Sequence, residues 1–213
     1  MSRGQSELLT AIVFVGLSLV IGAAMLGYYS AVASSYREQL LLAEHLRKEA
    51  SSVMLSIISY DNRSSSLWIL LKRLDGSSSD FLVAIGSGGV YLGCSDIAMY
   101  NPYNDDGIAC NDGSDCISSQ QAFSGDPERV YVPWEGGISD FKSYAVAMGY
   151  PLGSIHICRV PNVCRFGDTP GICQEGTVVR VQLPSDTDVA RIFIATMYSN
   201  KPYIVSVHEV PLR

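Results

Sequence analysis

The run Leu8-Leu9-Thr10-Ala11-Ile12-Val13-Phe14-Val15-Gly16-Leu17-Ser18-Leu19-Val20-Ile21-Gly22-Ala23-Ala24-Met25-Leu26-Gly27-Tyr28-Tyr29-Ser30-Ala31-Val32-Ala33 contains no Asp, Glu, Lys, Arg or His. A helix crosses the hydrocarbon core of a bilayer with roughly 20 apolar residues, and this run is longer. The apolar region of a cleavable secretory peptide is typically about 7 to 15 residues and ends at a small-residue cleavage site. Nothing marks the far end of this run as a cut, so the sequence predicts a retained helix.

Working outward toward the C-terminus, the chain continues as Ser34 to Ala50 with no Pro or Gly anywhere between Tyr29 and Tyr60. Leu42, Leu46, Ala50, Val53 and Ile57 recur at three- and four-residue intervals, while Arg37, Glu38, Glu44, Arg47, Lys48 and Glu49 fall mostly on other positions. That is the pattern of an amphipathic helix. The spacing therefore predicts one helix from about Glu7 to Tyr60, about 80 Å long at about 1.5 Å per residue. A rod of that length is either a membrane anchor with a stalk or the shaft of an assembly.

Working outward toward the N-terminus, Arg3-Gly4-Gln5-Ser6-Glu7 abuts the apolar run directly. A basic residue, then Gly, then a long uncharged helix resembles the class III signal of type IV pilin-like proteins, particularly archaeal pilins. In that family a prepilin peptidase cuts after the Gly. The resemblance covers residues 3 to 33 in motif and stem, and it implies a cut between Gly4 and Gln5, a cleaved leader over 1–4, a helical stem over 5–60 and a head over 61–213. The acidic residue at Glu7 is the third of the implied mature chain, whereas the bacterial family carries its Glu at the fifth; this favours the archaeal branch.

The stem has features suited to a filament core. Gly16, Gly22 and Gly27 leave small faces on which helices approach closely, and Phe14, Leu17, Val20, Ile21 and Leu26 supply apolar contact. A lone carboxylate in such a core would cost several kcal/mol. Glu7 is therefore expected either to stay near the membrane interface or to pair with the new amino group of Gln5 on a neighbouring subunit. Arg3 ahead of the run gives a slight positive-inside bias, placing the N-terminus inside and the head outside.

The remainder after residue 60 is the size of one domain in this 213-residue chain. Its short runs rich in Val, Ile and aromatics, separated by Gly, Ser, Asp, Asn and Pro, predict strands at 67–74, 81–85, 90–92, 129–132, 144–149, 155–160, 177–183, 190–198 and 203–210. Asp75 to Ser79 and Ser199 to Pro202 read as hairpin connections, Gly86-Ser87-Gly88-Gly89 as a hairpin turn, and Met99 to Glu128 as a long surface loop. The fold class expected is α+β: a long apolar N-terminal helix, then a disulfide-containing, sandwich-like all-β head.

Cys94, Cys110, Cys116, Cys158, Cys164 and Cys173 all lie in the head, the part that an N-inside anchor places outside the cell. An even number confined there points to disulfides. Six cysteines allow 15 pairings, of which the spacing favours Cys110 with Cys116, and Cys158, Cys164 and Cys173 near one another. Zinc would want paired CxxC or Cys/His spacing, which is absent. Asp105, Asp106, Asp112 and Asp115 offer oxygen ligands of the type calcium takes, but not in the EF-hand pattern, and a solvated acidic loop is the simpler reading. Asn62-Arg63-Ser64 is an N-glycosylation sequon.

A net charge of -6 without any Lys/Arg cluster argues against nucleic acid as a partner. His45, His156 and His208 are scattered, and no HExxH, Gly-x-Ser-x-Gly or Walker loop is present. No enzymatic activity and no cofactor are expected. The resemblance implies an extracellular filament subunit serving surface or cell adhesion, membrane-inserted before assembly, with itself, the prepilin peptidase and the pilus assembly machinery as partners. The alternatives are an archaellin-type motility subunit, or a single-span membrane-anchored extracellular binding or enzymatic protein.

Overall fold

The computed structural model describes residues 3–102, 116–166, 173–185 and 187–212, with side chains from Thr10 onward. The chain divides into two compact units, Met1–Glu44 and His45–Arg213. Helix α1 (Arg3–Ser52) is a single continuous element, about 75 Å long at about 1.5 Å per residue. It stops at Ser52, short of the expected Tyr60. The hydroxyls of Ser51 and Ser52 donate back to the carbonyls of Lys48 and Glu49, at 3.0 Å each. Val53 and Ile57, placed in the helical stripe by their spacing, belong instead to a strand; β-branched Val53, Ile57 and Ile58 with Tyr60 suit a pleated surface better than a helix.

The head contains β1 (Val53–Asp61), β2 (Ser66–Arg73), β3 (Phe81–Ser87), β4 (Val90–Tyr91), β5 (Ile97–Tyr100), β6 (Cys116–Ser118), β7 (Gln120–Gly125), β8 (Tyr131–Trp134), β9 (Gly137–Asp140), α2 (Phe141–Met148), β10 (Ile155–Val160), β11 (Gly176–Gln182), β12 (Val189–Tyr198) and β13 (Lys201–Pro211). One sheet runs β1-β2-β11-β5-β6 and is antiparallel throughout. The other runs β7-β10-β3-β12-β13-β8-β9, with β4 paired to β3 and a single parallel contact between β13 and β8. Alternation sets the packing: Leu67, Ile69 and Leu71 of β2, and Val179 and Val181 of β11, face Val83 and Ile85 of β3 and Ile192 and Ile194 of β12 in one buried cluster. This is the sandwich core expected from the sequence.

The larger sheet is buried on its second face as well. Ala84, Phe193, Ala195 and Ile204 lie against Phe141 and Ala145 of α2 and Val130 and Val132 beside and within β8. β10 serves both cores because an irregularity between Ile157 and Cys158 resets its alternation: Ile155 and Ile157 join the second cluster, Cys158 and Val160 the first. The strand expected at 144–149 is therefore wrong. Those residues belong to α2, capped by Asp140, whose side chain accepts from the Ser143 amide at 2.8 Å, and closed by Gly149 in the left-handed region.

Other connections divide. Ser199 and Asn200, both at positive φ, make the β12–β13 hairpin turn, and Gly88 and Gly89 turn β3 into β4. Asp75 to Ser79 is not a hairpin; it carries the chain from one sheet to the other. The segment Met99 to Glu128 is not all loop, since it holds the end of β5 together with β6 and β7, and residues 103–115 lie outside the described residues.

The crossing between sheets is held by Asn162, fully buried. Its Nδ2 donates to the carbonyls of Ser77 and Ser79 at 3.2 and 3.4 Å, while its Oδ1 accepts from the Cys164 amide at 3.3 Å and the Thr177 hydroxyl at 3.2 Å. Asn162→Ala leaves these groups without their partner, the Thr177 hydroxyl among them fully buried. A loss of about 2–3 kcal/mol is expected, read as a lower urea midpoint at unchanged slope.

Candidate functional site

From Thr10 to Leu41, α1 exposes every residue except the half-exposed Val32. Phe14, for example, is 69% exposed. The helix is long and apolar enough to cross a membrane. From Thr10 to Ala33 the helix is apolar all round and exposed among the described residues, the kind of surface that lipid or another protein completes. Two of its hydroxyls bond back to the helix: Ser18 donates to the Phe14 carbonyl at 2.9 Å and Ser34 to that of Ala31 at 2.8 Å.

The expected assembly residues Phe14, Gly16, Leu17, Val20, Ile21, Gly22 and Leu26 all lie on this uncovered stretch. A Cβ placed on Gly16, Gly22 or Gly27 would meet nothing, so these positions are open to close approach by another helix. The Gly4–Gln5 step and Glu7 fall within α1 by backbone, but their side chains lie outside the described ones.

Within the second unit, the last turns of α1 are fastened to the sheets. Leu46 is buried, His45 Nε2 is 3.1 Å from the Thr196 hydroxyl, and the His45 ring lies 5.2 Å from that of Tyr198. Arg73 Nη2 donates to both carboxylate oxygens of Glu49 at 3.2 Å and to the Ser52 hydroxyl at 3.3 Å, and Asp75 takes Arg73 Nε at 3.2 Å. Glu49, Arg73, Asp80, Arg159, Thr196 and Met197 line a cleft of about 400 Å³ beside this joint. Asp80 is paired with Arg165 at 2.9 Å, so the acids of the cleft are already engaged. Leu46 was visible in the sequence as part of the stripe; the Glu49–Arg73–Asp75 network was not, because nothing in spacing links residue 49 to residue 73.

The titrations of the head follow from its bonds. The Arg73 guanidinium holds the Asp75 carboxyl below its usual range, and the Ser143 amide does the same for Asp140. Burial holds the His208 imidazole below its ordinary value. A depressed folded value means that the unfolded chain takes up protons first, so stability falls as pH drops below the unfolded value. The His208 contribution is lost below about pH 6.5 and the carboxylate contributions below about pH 4. Urea melts of the full-length protein in detergent should show both steps, with the upper one missing in His208→Gln.

Disulfides join Cys94 to Cys158 and Cys164 to Cys173. Of the three cysteines expected near one another, Cys164 and Cys173 are joined, while Cys158 sits in β10 inside the first core and pairs with the distant Cys94, which precedes β5. Cys116 is disulfide-bonded, while Cys110 lies outside the described residues, as do Asp105, Asp106, Asp112 and Asp115. Among the described residues no cluster of three His, Cys, Asp or Glu is placed to hold a metal. Asn62 is exposed in the β1–β2 turn, where the Ser64 hydroxyl donates to Asp61 Oδ2 at 2.6 Å. His156 Nδ1 lies 2.9 Å from the Ser124 hydroxyl on an exposed strand pair, away from His45 and His208 on other elements.

No protein-family model, curated protein or solved structure matches this chain.

Proposed function

We propose that this chain is a pilin, the structural subunit of an extracellular type IV pilus-like filament that serves surface or cell adhesion. It is inserted first in the membrane, trimmed by a prepilin peptidase between Gly4 and Gln5, and assembled by packing of α1 against α1 of other copies, with the β head on the filament surface. The observation that carries this reading is the exposed apolar surface of α1 from Thr10 to Ala33, directly behind the Arg3-Gly4-Gln5 step. Lipid covers that surface in the stored monomer and neighbouring helices cover it in the polymer. A fully apolar helix with small-residue positions at Gly16, Gly22 and Gly27 suits both environments. The reading assigns no catalytic role to the head.

The test is to shear fibres from the cell surface and sequence the N-terminus of this polypeptide. Gln5 as the first residue of a protein recovered in the fibres is the expected result. A protein found only in the detergent-extracted membrane fraction, beginning at Met1 or Ser2, would overturn the reading in favour of a permanent single-span anchor.

A further inference from the structure

The Asn62-Arg63-Ser64 triplet has no part in the proposed filament contacts. Asn62 is the only asparagine in the sequence that heads an Asn-x-Ser/Thr triplet. It opens the turn over residues 62–65 that joins β1 to β2, and Asp61, Asn62, Arg63 and Ser64 are all exposed. The backbone of this turn is held from β11. The Gln182 side chain donates to the Ser64 carbonyl at 2.7 Å, and the Leu183 amide just after that strand donates to the Ser65 carbonyl at 2.8 Å. The Asp61 carboxylate takes the local bonds, accepting from the Arg63 amide at 3.0 Å and from the Ser64 hydroxyl at 2.6 Å. The Asn62 carboxamide is left without a hydrogen-bond partner among the described residues.

An asparagine in a turn ordinarily bonds to the backbone beside it. Here Asp61 does so in its place, and the free carboxamide is presented to solvent on an anchored turn. Asn162 has the opposite arrangement, fully buried with both ends of its carboxamide bonded. The nine residues of β1 reach about 27 Å at about 3.4 Å per residue, so Asn62 stands at the far end of that strand from Ser52, where α1 ends. A bulky polar group at Asn62 therefore disturbs neither the attachment of α1 nor either core. The disulfides Cys94–Cys158 and Cys164–Cys173 are bonds of oxidising compartments, the ones in which exported chains carry glycans.

We propose that Asn62 is N-glycosylated, as the acceptor of an oligosaccharide carried on a lipid phosphate and transferred by an oligosaccharyltransferase acting in trans. The Asn62 Nδ2 nitrogen attacks the anomeric carbon of the first sugar. A C–N bond forms, the C–O bond to the phosphate breaks, the lipid phosphate leaves with the electron pair, and Nδ2 gives up one proton. Nothing is oxidised or reduced. Ser64 supplies the hydroxyl two places on that defines the acceptor triplet. Its bond to Asp61 lies at the exposed surface, where water replaces it at little cost. The inference rests on the outward-facing head of the filament reading, and it needs neither the cut after Gly4 nor packing of α1.

The test is mass spectrometry of the peptide spanning Asn62, taken from full-length protein recovered from its own cells, alongside protease treatment of the intact cells to read which way the head faces. Wild type is expected to carry a sugar mass on that peptide. Asn62→Gln and Ser64→Ala should lose it completely, and Ser64→Thr, which keeps the triplet, should retain it. All four positions of the turn from Asp61 to Ser64 are exposed, so these variants leave the cores intact, and unchanged urea midpoints verify it. A wild-type peptide at its unmodified mass overturns the proposal, as does a sugar that persists on it in Asn62→Gln. If the head of that unmodified protein is cleaved on intact cells, the glycan alone fails and the outward-facing head stands; if it is cleaved only after lysis, both fail.

Discussion

Replacing Cys94 and Cys158 together by Ala is expected to cost the head about 4 kcal/mol, against about 2.5 kcal/mol for the pair Cys164 and Cys173. The difference comes from the loops closed. The first bridge spans a sequence separation of 64 and the second a separation of 9, and the chain entropy removed from the unfolded state grows with the logarithm of that length. Location adds to it. Cys158 is fully buried in the first core, so its sulfur is also packing volume, and Cys94 precedes β5 of the opposite sheet. The first bridge thus spans both the sequence and the sandwich, whereas the second closes a local loop already held by Asn162. Urea midpoints of the two double variants, measured in the same detergent, should fall in that order; equal or reversed losses would show that native-state strain or residual unfolded structure outweighs loop length.

That pairing marks where sequence reasoning ends in this protein. Strands with buried alternation, such as Ser66–Arg73, Gly176–Gln182 and Val189–Tyr198, were legible because their period is local and one face of each must be dry. Strand β1 was not, since Leu42, Leu46, Ala50, Val53 and Ile57 continue a helical spacing across the true boundary, and no Gly or Pro marks the stop. The β-branched content of Val53 to Ile58 was the competing signal. Helix α2 was misread in the opposite direction: Tyr144, Val146 and Gly149 suggested a strand, although Asp140 three residues before Ser143 and the glycine behind Met148 form a start and a stop for a helix. The apolar stretch of α1 was legible from composition alone, because an uncharged run of that length allows few alternatives. Contacts between distant residues, such as Cys94 with Cys158 and Glu49 with Arg73, leave no periodic trace.

The Glu49–Arg73–Asp75 network gives the sharpest contrast between variants at the base of α1. Arg73 is only 5% exposed, while Glu49 and Asp75 are 20% and 25% exposed. Removing the cation as Arg73→Met leaves two carboxylates that reach water and a methionine stem that fills much of the vacated space; a loss of about 1–2 kcal/mol is expected. Neutralising both acids as Glu49→Gln with Asp75→Asn leaves a buried guanidinium with no counter-charge in the network, for which about 3–5 kcal/mol is expected. The milder variant is therefore the one that deletes the more deeply buried residue. The loss should also be local. Glu49 and Ser52 are the helical residues that Arg73 grips, so hydrogen exchange in the double-acid variant should speed up at residues 45–52 well before it does in β11, whose amides are covered by β2 and β5. Exchange that accelerates uniformly across the head would mean instead that the network supports the whole sandwich rather than the attachment of the end of α1 to it.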